Sequence, residues 1–389
     1  MIFSLDNKAC TIRFTYILGI VIYLFTICYN SSLIKHILLV SNISYNDIDK
    51  INNVAIISSL GGSIALIFLY KLFSFRKVLI VTTVLYFISV ISLLSLSNSY
   101  ILISLNTSLH YASLTVIIIG TINYIISFEK LNVRACLLSV LLTVMFTYLL
   151  ISVMPYFESL GGNILSLVSL VVTAIFLAMI WLNNYFNQKI ALGDINFKLL
   201  LQNIETELLN GFVILYIIGL IFSNYDTHNL MEPLLTATLG VDKYYLLVLM
   251  VLSLIISNRF LSNANLRIVP SSCAFLLFMI FILLPVWSKY YVFSLLLWLI
   301  TFITCYISIA ANLLILSKKF SSNYRVSAIS IYFVFCTLGL YVKHMFISNS
   351  GEGMDENNFL LSICFVITAL LVYYIYLFNK DKLTIWHKN

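Results

Sequence analysis

Charged side chains are scarce in this chain. Only 10% of its 389 residues are Asp, Glu, Lys or Arg, against 61% hydrophobic. A water-exposed surface at this length needs about 25% charge, so a soluble globular protein is excluded. Between Asp49 and Glu129 there is no acidic residue, although Lys71, Arg76 and Lys77 fall in that interval. The seven cysteines lie in or beside apolar runs and none forms a Cys-x-x-Cys pair. They read as small apolar packing residues, with no disulfide framework and no metal site implied. There is no Gly-x4-Gly-Lys-Ser/Thr phosphate loop, so the chain does not drive itself with ATP. No His-Glu-x-x-His pair and no nucleophile–His–acid set is present, and neither an enzyme nor a cofactor is expected.

What the chain has instead is apolar blocks of about 20 residues, each long enough to cross a bilayer as a helix. The blocks are continuously apolar, whereas a membrane β-barrel alternates apolar and polar residues. Twelve spans fit, at about 14–39, 51–71, 77–97, 100–127, 133–154, 162–183, 208–232, 242–262, 268–288, 290–317, 325–347 and 357–379. The first run is long and flanked by Arg13, which marks a retained helix and not a cleaved signal. With the N-terminus inside, seventeen of the 22 basic residues fall on the inner side, leaving outside only Lys35, Lys50, Lys243, Lys289 and Lys343. That segregation obeys the positive-inside rule and places both termini in the cytoplasm. The +7 net charge is therefore a topology signal and carries no expectation of nucleic acid binding. The expected class is an all-α polytopic membrane protein: a six-helix bundle over 1–183, a polar cytoplasmic loop over 184–207 and a second six-helix bundle over 208–389.

The charges hint at duplication. Arg76 opens the third span and Arg267 the ninth; Arg134 opens the fifth and Arg325 the eleventh. Both pairs are 191 residues apart, as are Tyr100 and Tyr291 near the starts of the fourth and tenth spans. Internal repeats of this size are a mark of transporter folds.

Twelve helices, a six-plus-six split, a central inner loop and basic 2–3 and 8–9 loops resemble the major facilitator superfamily of secondary transporters. That family's 2–3 loop reads Gly-x-x-x-Asp-Arg-x-Gly-Arg-Arg. Arg76 and Lys77 match its final basic pair, while the acid and both glycines are missing from "FLYKLFSF". In the 8–9 loop, Asn258-Arg259 is similar to Asp-Arg with the acid replaced by its amide. Arg134 and Arg325 match the basic residues that open the family's fifth and eleventh helices. Gly61 and Gly62 suit the small-residue packing expected of its second helix. The resemblance implies that Arg76, Lys77, Arg134, Arg259, Arg267 and Arg325 act in conformational change at the inner loops.

Ionisable residues deep in a membrane are candidates for function. His110 lies near the middle of the fourth span, and "SLNTSLHYAS" puts Asn106 and His110 at i and i+4 on one helix face. A histidine there can hydrogen-bond a solute or carry a proton; equally, a neighbouring helix can satisfy it. Lys35-His36 and Lys343-His344 lie near the outer interface and read as snorkelling anchors. The resemblance implies that the first and seventh helices line a central cavity. Tyr29 and Asn30 on the first, and Asn224 and Tyr225 on the seventh, then become solute-binding candidates, with Asp226 a candidate for proton coupling. Asn312 in the tenth span either lines the cavity or bridges helices.

The expected function is a secondary transporter, acting as a monomer in the inner membrane on a small polar solute, with a proton or another ion as coupling partner. Residues 134–153 hold no Gly and no Pro, unlike the glycine-rich fifth helix of the family's antiporters, which favours uptake over export. The alternatives are an efflux pump of the same fold and a membrane glycan polymerase or flippase. Short outer loops without arginine disfavour the polymerase, and the lack of mid-membrane Lys or Arg disfavours the flippase.

Overall fold

The computed structural model describes residues 45–94, 100–126, 197–223, 268–287, 291–320 and 322–348, with Arg134, Leu138, Val171, Ile256 and Leu261. Every element among them is an α-helix: α1 (Tyr45–Leu72), α2 (Phe75–Leu94), α3 (Tyr100–Ile126), α4 (Phe197–Ser223), α5 (Val269–Trp287), α6 (Tyr291–Lys319) and α7 (Ser322–Ser348). They coincide with the expected second, third, fourth, seventh, ninth, tenth and eleventh spans. The first and twelfth spans lie outside the described residues, and the fifth, sixth and eighth are represented only by isolated helical residues. Among the described residues, three stretches are long and apolar enough to cross a membrane: Asn53–Tyr70, Tyr100–Ile126 and Tyr324–Val342.

Local chemistry sets the helix ends. Only Phe73 and Ser74 separate α1 from α2. The carbonyl of Ser74 accepts from the Val78 N–H at 3.2 Å, which is the first bond of α2. Arg76 and Lys77 thus sit in the first turn of α2, where the expectation put the helix start at 77. Two cations at a helix N-terminus oppose its dipole, so local helix stability does not explain them. In α5, Pro270 occupies the first turn, where its missing N–H removes no helical bond; the Ser272 N–H closes that turn on the Ile268 carbonyl at 3.0 Å. The largest departure is α4, which starts at Phe197 and not at 208. Residues 197–207 therefore belong to a helix and not to the central loop. Leu200, Ile204 and Leu208 recur at i, i+4 and i+8 and are all buried. That period makes a helix of a segment whose polar residues dilute its hydropathy.

The chain divides into two compact units. The first holds residues 1–128, 140–194 and 322–330; the second holds 129–139, 195–321 and 331–389.

In the first unit α3 packs on both α1 and α2. Ser58 and Gly62 of α1 face Ser108 and Ala112 of α3, with a Ser58–Ser108 hydroxyl bond of 2.8 Å. Both pairs are offset by 50 residues, so the two helices run parallel. A Cβ on Gly62 would meet the Ala112 carbonyl oxygen at 2.6 Å; this is the small-x-x-x-small contact that lets membrane helices approach closely. By contrast, Ser92 pairs with Asn106 and Tyr86 with His110, so α2 runs antiparallel to α3. In the second unit, α4 lies antiparallel to α6, with Glu207 beside Lys319 and Asn210 beside Asn312. It lies parallel to α7: Gly211 meets Tyr332 and Cys336, and Gly339 meets the Phe212 carbonyl. These directions are those of alternating membrane crossings.

The surface is inverted relative to a soluble protein. Val81, Val84, Ile88 and Ile91 form an exposed apolar stripe on α2, while Thr82, Thr83 and Ser89 are buried behind it. On the N-terminal half of α3, Ile101, Leu102 and Leu105 are exposed, and Asn106, Thr107 and His110 are buried. Many of the buried hydroxyls bond back to their own helix, as Thr83 does to the Leu79 carbonyl at 2.7 Å and Ser330 to Val326 at 2.8 Å. That is how a hydroxyl is satisfied where no water is available.

The two adjacent glycines of α1 make a controlled comparison. Gly61→Ala faces open space and gains about 1 kcal/mol of helix propensity. Gly62→Ala drives its methyl group against helix backbone and loses about 1–3 kcal/mol. Thermal unfolding midpoints of the two variants in one detergent should move in opposite directions.

Candidate functional site

Two clusters of buried polar side chains stand out, one in each unit. In the first, the helical period brings Asn106, Thr107 and His110 of α3 to one face. His110 is ten residues beyond Tyr100 and sixteen before Ile126, about 15 Å and 24 Å along the helix. Its ring is fully buried. The Tyr86 ring of α2 lies 5.1 Å away, tilted at 43°, and the Tyr111 ring 5.2 Å away, edge-on at 76°. One turn toward the N-terminus of α3, the Ser92 hydroxyl donates to the Asn106 side-chain oxygen at 2.5 Å. The Asn106 amide nitrogen and the Thr107 hydroxyl are buried without a hydrogen-bond partner among the described residues. Buried polar atoms left in this state are uncommon in folded proteins. Here they give the face two unused groups, a donor and a donor–acceptor hydroxyl. Among the described residues of α1, α2 and α3, no Asp, Glu, Lys or Arg is buried.

The second cluster joins three helices. The Asn210 side-chain oxygen on α4 accepts from the Ser308 hydroxyl at 2.8 Å and from the Asn312 amide at 2.6 Å, both on α6. The same Asn312 amide lies 3.4 Å from the Tyr332 hydroxyl on α7. Asn210, Ser308, Asn312 and Tyr332 are all buried. About 10 Å along α6 from Asn312, Lys319 donates to the Glu207 carboxylate at 2.7 Å and to the Asn203 carbonyl at 3.0 Å. Lys319 closes the C-terminal end of α6, where a cation complements the helix dipole. Close by, the Arg134 guanidinium donates to the Ser317 hydroxyl at 3.4 Å.

The sequence candidates fare unevenly. Asn106 and His110 come together as expected, but on the face that packs against α2, with Tyr86 and Ser92 as neighbours. Asn312 serves as a bridge between helices near the Lys319 end. Arg76, Arg134 and Arg325 are half-buried and Lys77 is exposed. Tyr29, Asn30, Asn224, Tyr225, Asp226, Arg259 and Arg267 lie outside the described residues. Sequence reasoning missed Asn210 and Glu207. Its signal was present: Glu207, Asn210 and Gly211 continue the face of Leu200 and Ile204 at helical spacing, across the expected boundary between the loop, which ends at 207, and the seventh span. It also missed Tyr86, which reads as one more aromatic in an apolar run.

No family model matches the chain. An uncharacterized protein of Rickettsia prowazekii (strain Madrid E) is 26% identical over 388 residues, which cover 98% of this chain and 99% of the relative. Among solved structures, the major facilitator superfamily proton:xylose symporter XylE, bound to 6-bromo-6-deoxy-D-glucose, aligns with a TM-score of 0.67. The alignment covers 95% of this chain and 96% of the symporter at 14% identity. The human organic anion transporter MFSD10 (TETRAN) aligns with a TM-score of 0.65 over 92% of this chain and 97% of its own, at 10% identity. The fold is therefore that of the major facilitator superfamily.

The Asn210 cluster has a graded test. Asn210→Ala strips a partner from both Ser308 and Asn312, and each buried orphan costs about 1–3 kcal/mol. Ser308→Ala removes only one of the two bonds. Thermal unfolding of the purified protein should show the larger loss for Asn210→Ala.

Proposed function

We propose that this chain is a secondary transporter that moves a small polar solute across the inner membrane by alternating access. The observation that carries the reading is the superfamily fold, which extends over 95% of the chain and joins helices whose lipid-facing sides are apolar and whose interiors are polar. Twelve spans in two six-helix halves, 1–183 and 208–389, with both termini cytoplasmic, complete the arrangement. The 191-residue offset relates the halves, and α3 and α6 start at its two ends, Tyr100 and Tyr291.

In this reading the solute meets groups near the bilayer midplane. His110 and Asn106 offer hydrogen bonds from the first half; Tyr29 and Asn30 on the first span, and Asn224 and Tyr225 on the seventh, complete the lining. His110 and Asp226 are the coupling candidates, and a symporter among the structural neighbours supports a proton as the coupling ion. Arg76, Lys77, Arg134, Arg259, Arg267 and Arg325 work at the inner ends of the helices. Asn312 is assigned to helix bridging in place of solute contact, because its amide is already engaged by Asn210. The expected direction is uptake, by a monomer.

Purified protein in proteoliposomes, offered amino acids, nucleosides, sugars and siderophores with and without an imposed proton gradient, tests the proposal. Saturable uptake of one class supports it; no uptake or exchange of any class counts against it. Once a solute is found, His110→Ala should lower initial uptake by about tenfold at unchanged membrane abundance. Asp226→Asn should abolish accumulation and spare exchange.

A further inference from the structure

We propose that Ser104 and Thr107, with the Asn106 amide, form a binding site on α3 for an uncharged, oxygen-rich solute of the sugar, polyol or nucleoside class. The site rests on the transporter reading and extends the His110–Asn106 face by two hydroxyls. Three buried polar atoms lie within one turn of α3 without a hydrogen-bond partner among the described residues: the Ser104 hydroxyl, the Asn106 amide nitrogen and the Thr107 hydroxyl. Thr107 is 1% exposed and Asn106 6%, so neither is open to bulk water.

The helix does not force this state on Thr107. Other threonines of α2 and α3 bond the carbonyl one turn back: Thr82 to Val78 at 2.9 Å, Thr83 to Leu79 at 2.7 Å, Thr115 to Tyr111 at 2.9 Å and Thr121 to Ile117 at 2.8 Å. The Ile103 carbonyl stands in the same relation to Thr107 within α3, and no such bond forms. An orphaned buried hydroxyl costs stability. One that turns away from a backbone acceptor of its own helix is suited to a partner from outside it.

The contacts of α3 fix where these groups lie. Asn106 and His110 meet α2 through Ser92 and Tyr86. Ser108 and Ala112 meet α1 through Ser58 and Gly62. Each residue advances about 100° around a helix, so Thr107 stands about 100° from both Asn106 and Ser108 and points at neither neighbour. Leu105 is 63% exposed and lies about 160° round from Thr107. The Thr107 hydroxyl is therefore carried between the two helix contacts, on the side away from the exposed apolar edge. Ser104, three residues earlier, shares that side.

The chemistry of the three groups selects the solute. The Asn106 side-chain oxygen is taken by Ser92, so its amide offers donors, while each hydroxyl both donates and accepts. That set matches a molecule with several hydroxyl or carbonyl oxygens along one edge. The buried residues described on α1, α2 and α3 include no Asp, Glu, Lys or Arg. A carboxylate or ammonium bound here would leave water and meet only neutral dipoles on this side, which is costly for a charge. An uncharged solute does not incur that cost.

Stability and uptake should move in opposite directions, and the same variants read both. In the purified full-length protein without solute, Thr107→Val removes an orphan at nearly constant shape and should raise the thermal midpoint by about 2 °C. Thr121→Val breaks the bond to Ile117 and should give no gain. Proteoliposomes are then offered glucose, ribose, glycerol and uridine, with lactate, glutamate and lysine as charged probes. An uncharged probe should be taken up saturably. Thr107→Val should lower its initial rate about tenfold, and Ser104→Ala about threefold, at unchanged membrane abundance. Thr107→Ser, which keeps the hydroxyl, should lose less. A Thr107→Val midpoint that does not rise, or uptake that Thr107→Val and Ser104→Ala leave unchanged, overturns the site and leaves the transporter reading standing. Uptake confined to charged probes, or of none, also overturns the site, and the wider solute panel decides the transporter reading separately.

Discussion

A polar atom carried into hydrocarbon must find its partner inside the protein, and this one constraint orders the rest of the molecule. It closes every backbone bond within its own helix. It turns serine and threonine hydroxyls back onto the carbonyls one turn earlier, as in Thr82, Thr83 and Ser330. It also gathers the larger polar groups at helix contacts, where they meet each other: Ser92 with Asn106 in one unit, and Asn210 with Ser308 and Asn312 in the other. Hydrophobic burial cannot choose which helices pair, because lipid is as apolar as leucine. Close backbone approach and polar pairing choose instead. Gly62 against Ala112, and Gly339 against the Phe212 carbonyl, are contacts of the first kind.

The same constraint explains what could be read from the sequence. Apolar runs are an all-or-none signal for crossing a bilayer. The seven described helices accordingly coincide with expected spans, and the fourth agrees to within a residue: Tyr100–Ile126 against 100–127. Hydropathy fails where a helix leaves the membrane. Residues 197–207 of α4 carry Lys198, Gln202, Asn203, Glu205 and Glu207, which average out as loop although the apolar positions keep helical spacing. Glu207 was lost with that segment. A buried carboxylate becomes visible only when its helix and the Lys319 end of α6 are brought together across 112 residues.

His110 shows a different limit. Its depth followed from counting residues, and its companion Asn106 from the i, i+4 rule. The neighbour across the contact did not follow, because nothing in "TTVLYFISV" marks Tyr86 as the ring that meets it. Periodicity fixes which residues share a face; it leaves open what that face opposes. The side chains of Asn106 and Thr107 nevertheless retain unused polar atoms.

The charged helix ends carry the remaining logic. Arg76 and Lys77 stand in the first turn of α2 against the pull of its dipole. Arg325 stands in the first turn of α7 in the same way. Lys318 and Lys319 stand in the last turn of α6, where the dipole favours them. Cations thus stand both at helix starts, where they cost stability, and at a helix end, where they add it. Lys319 has a further use, because α4 begins early enough to bring Glu207 beside it. The charge that meets Lys319 is the Glu207 carboxylate of α4. It is held by a helix that extends beyond the apolar run, and it is set where water can reach its partner.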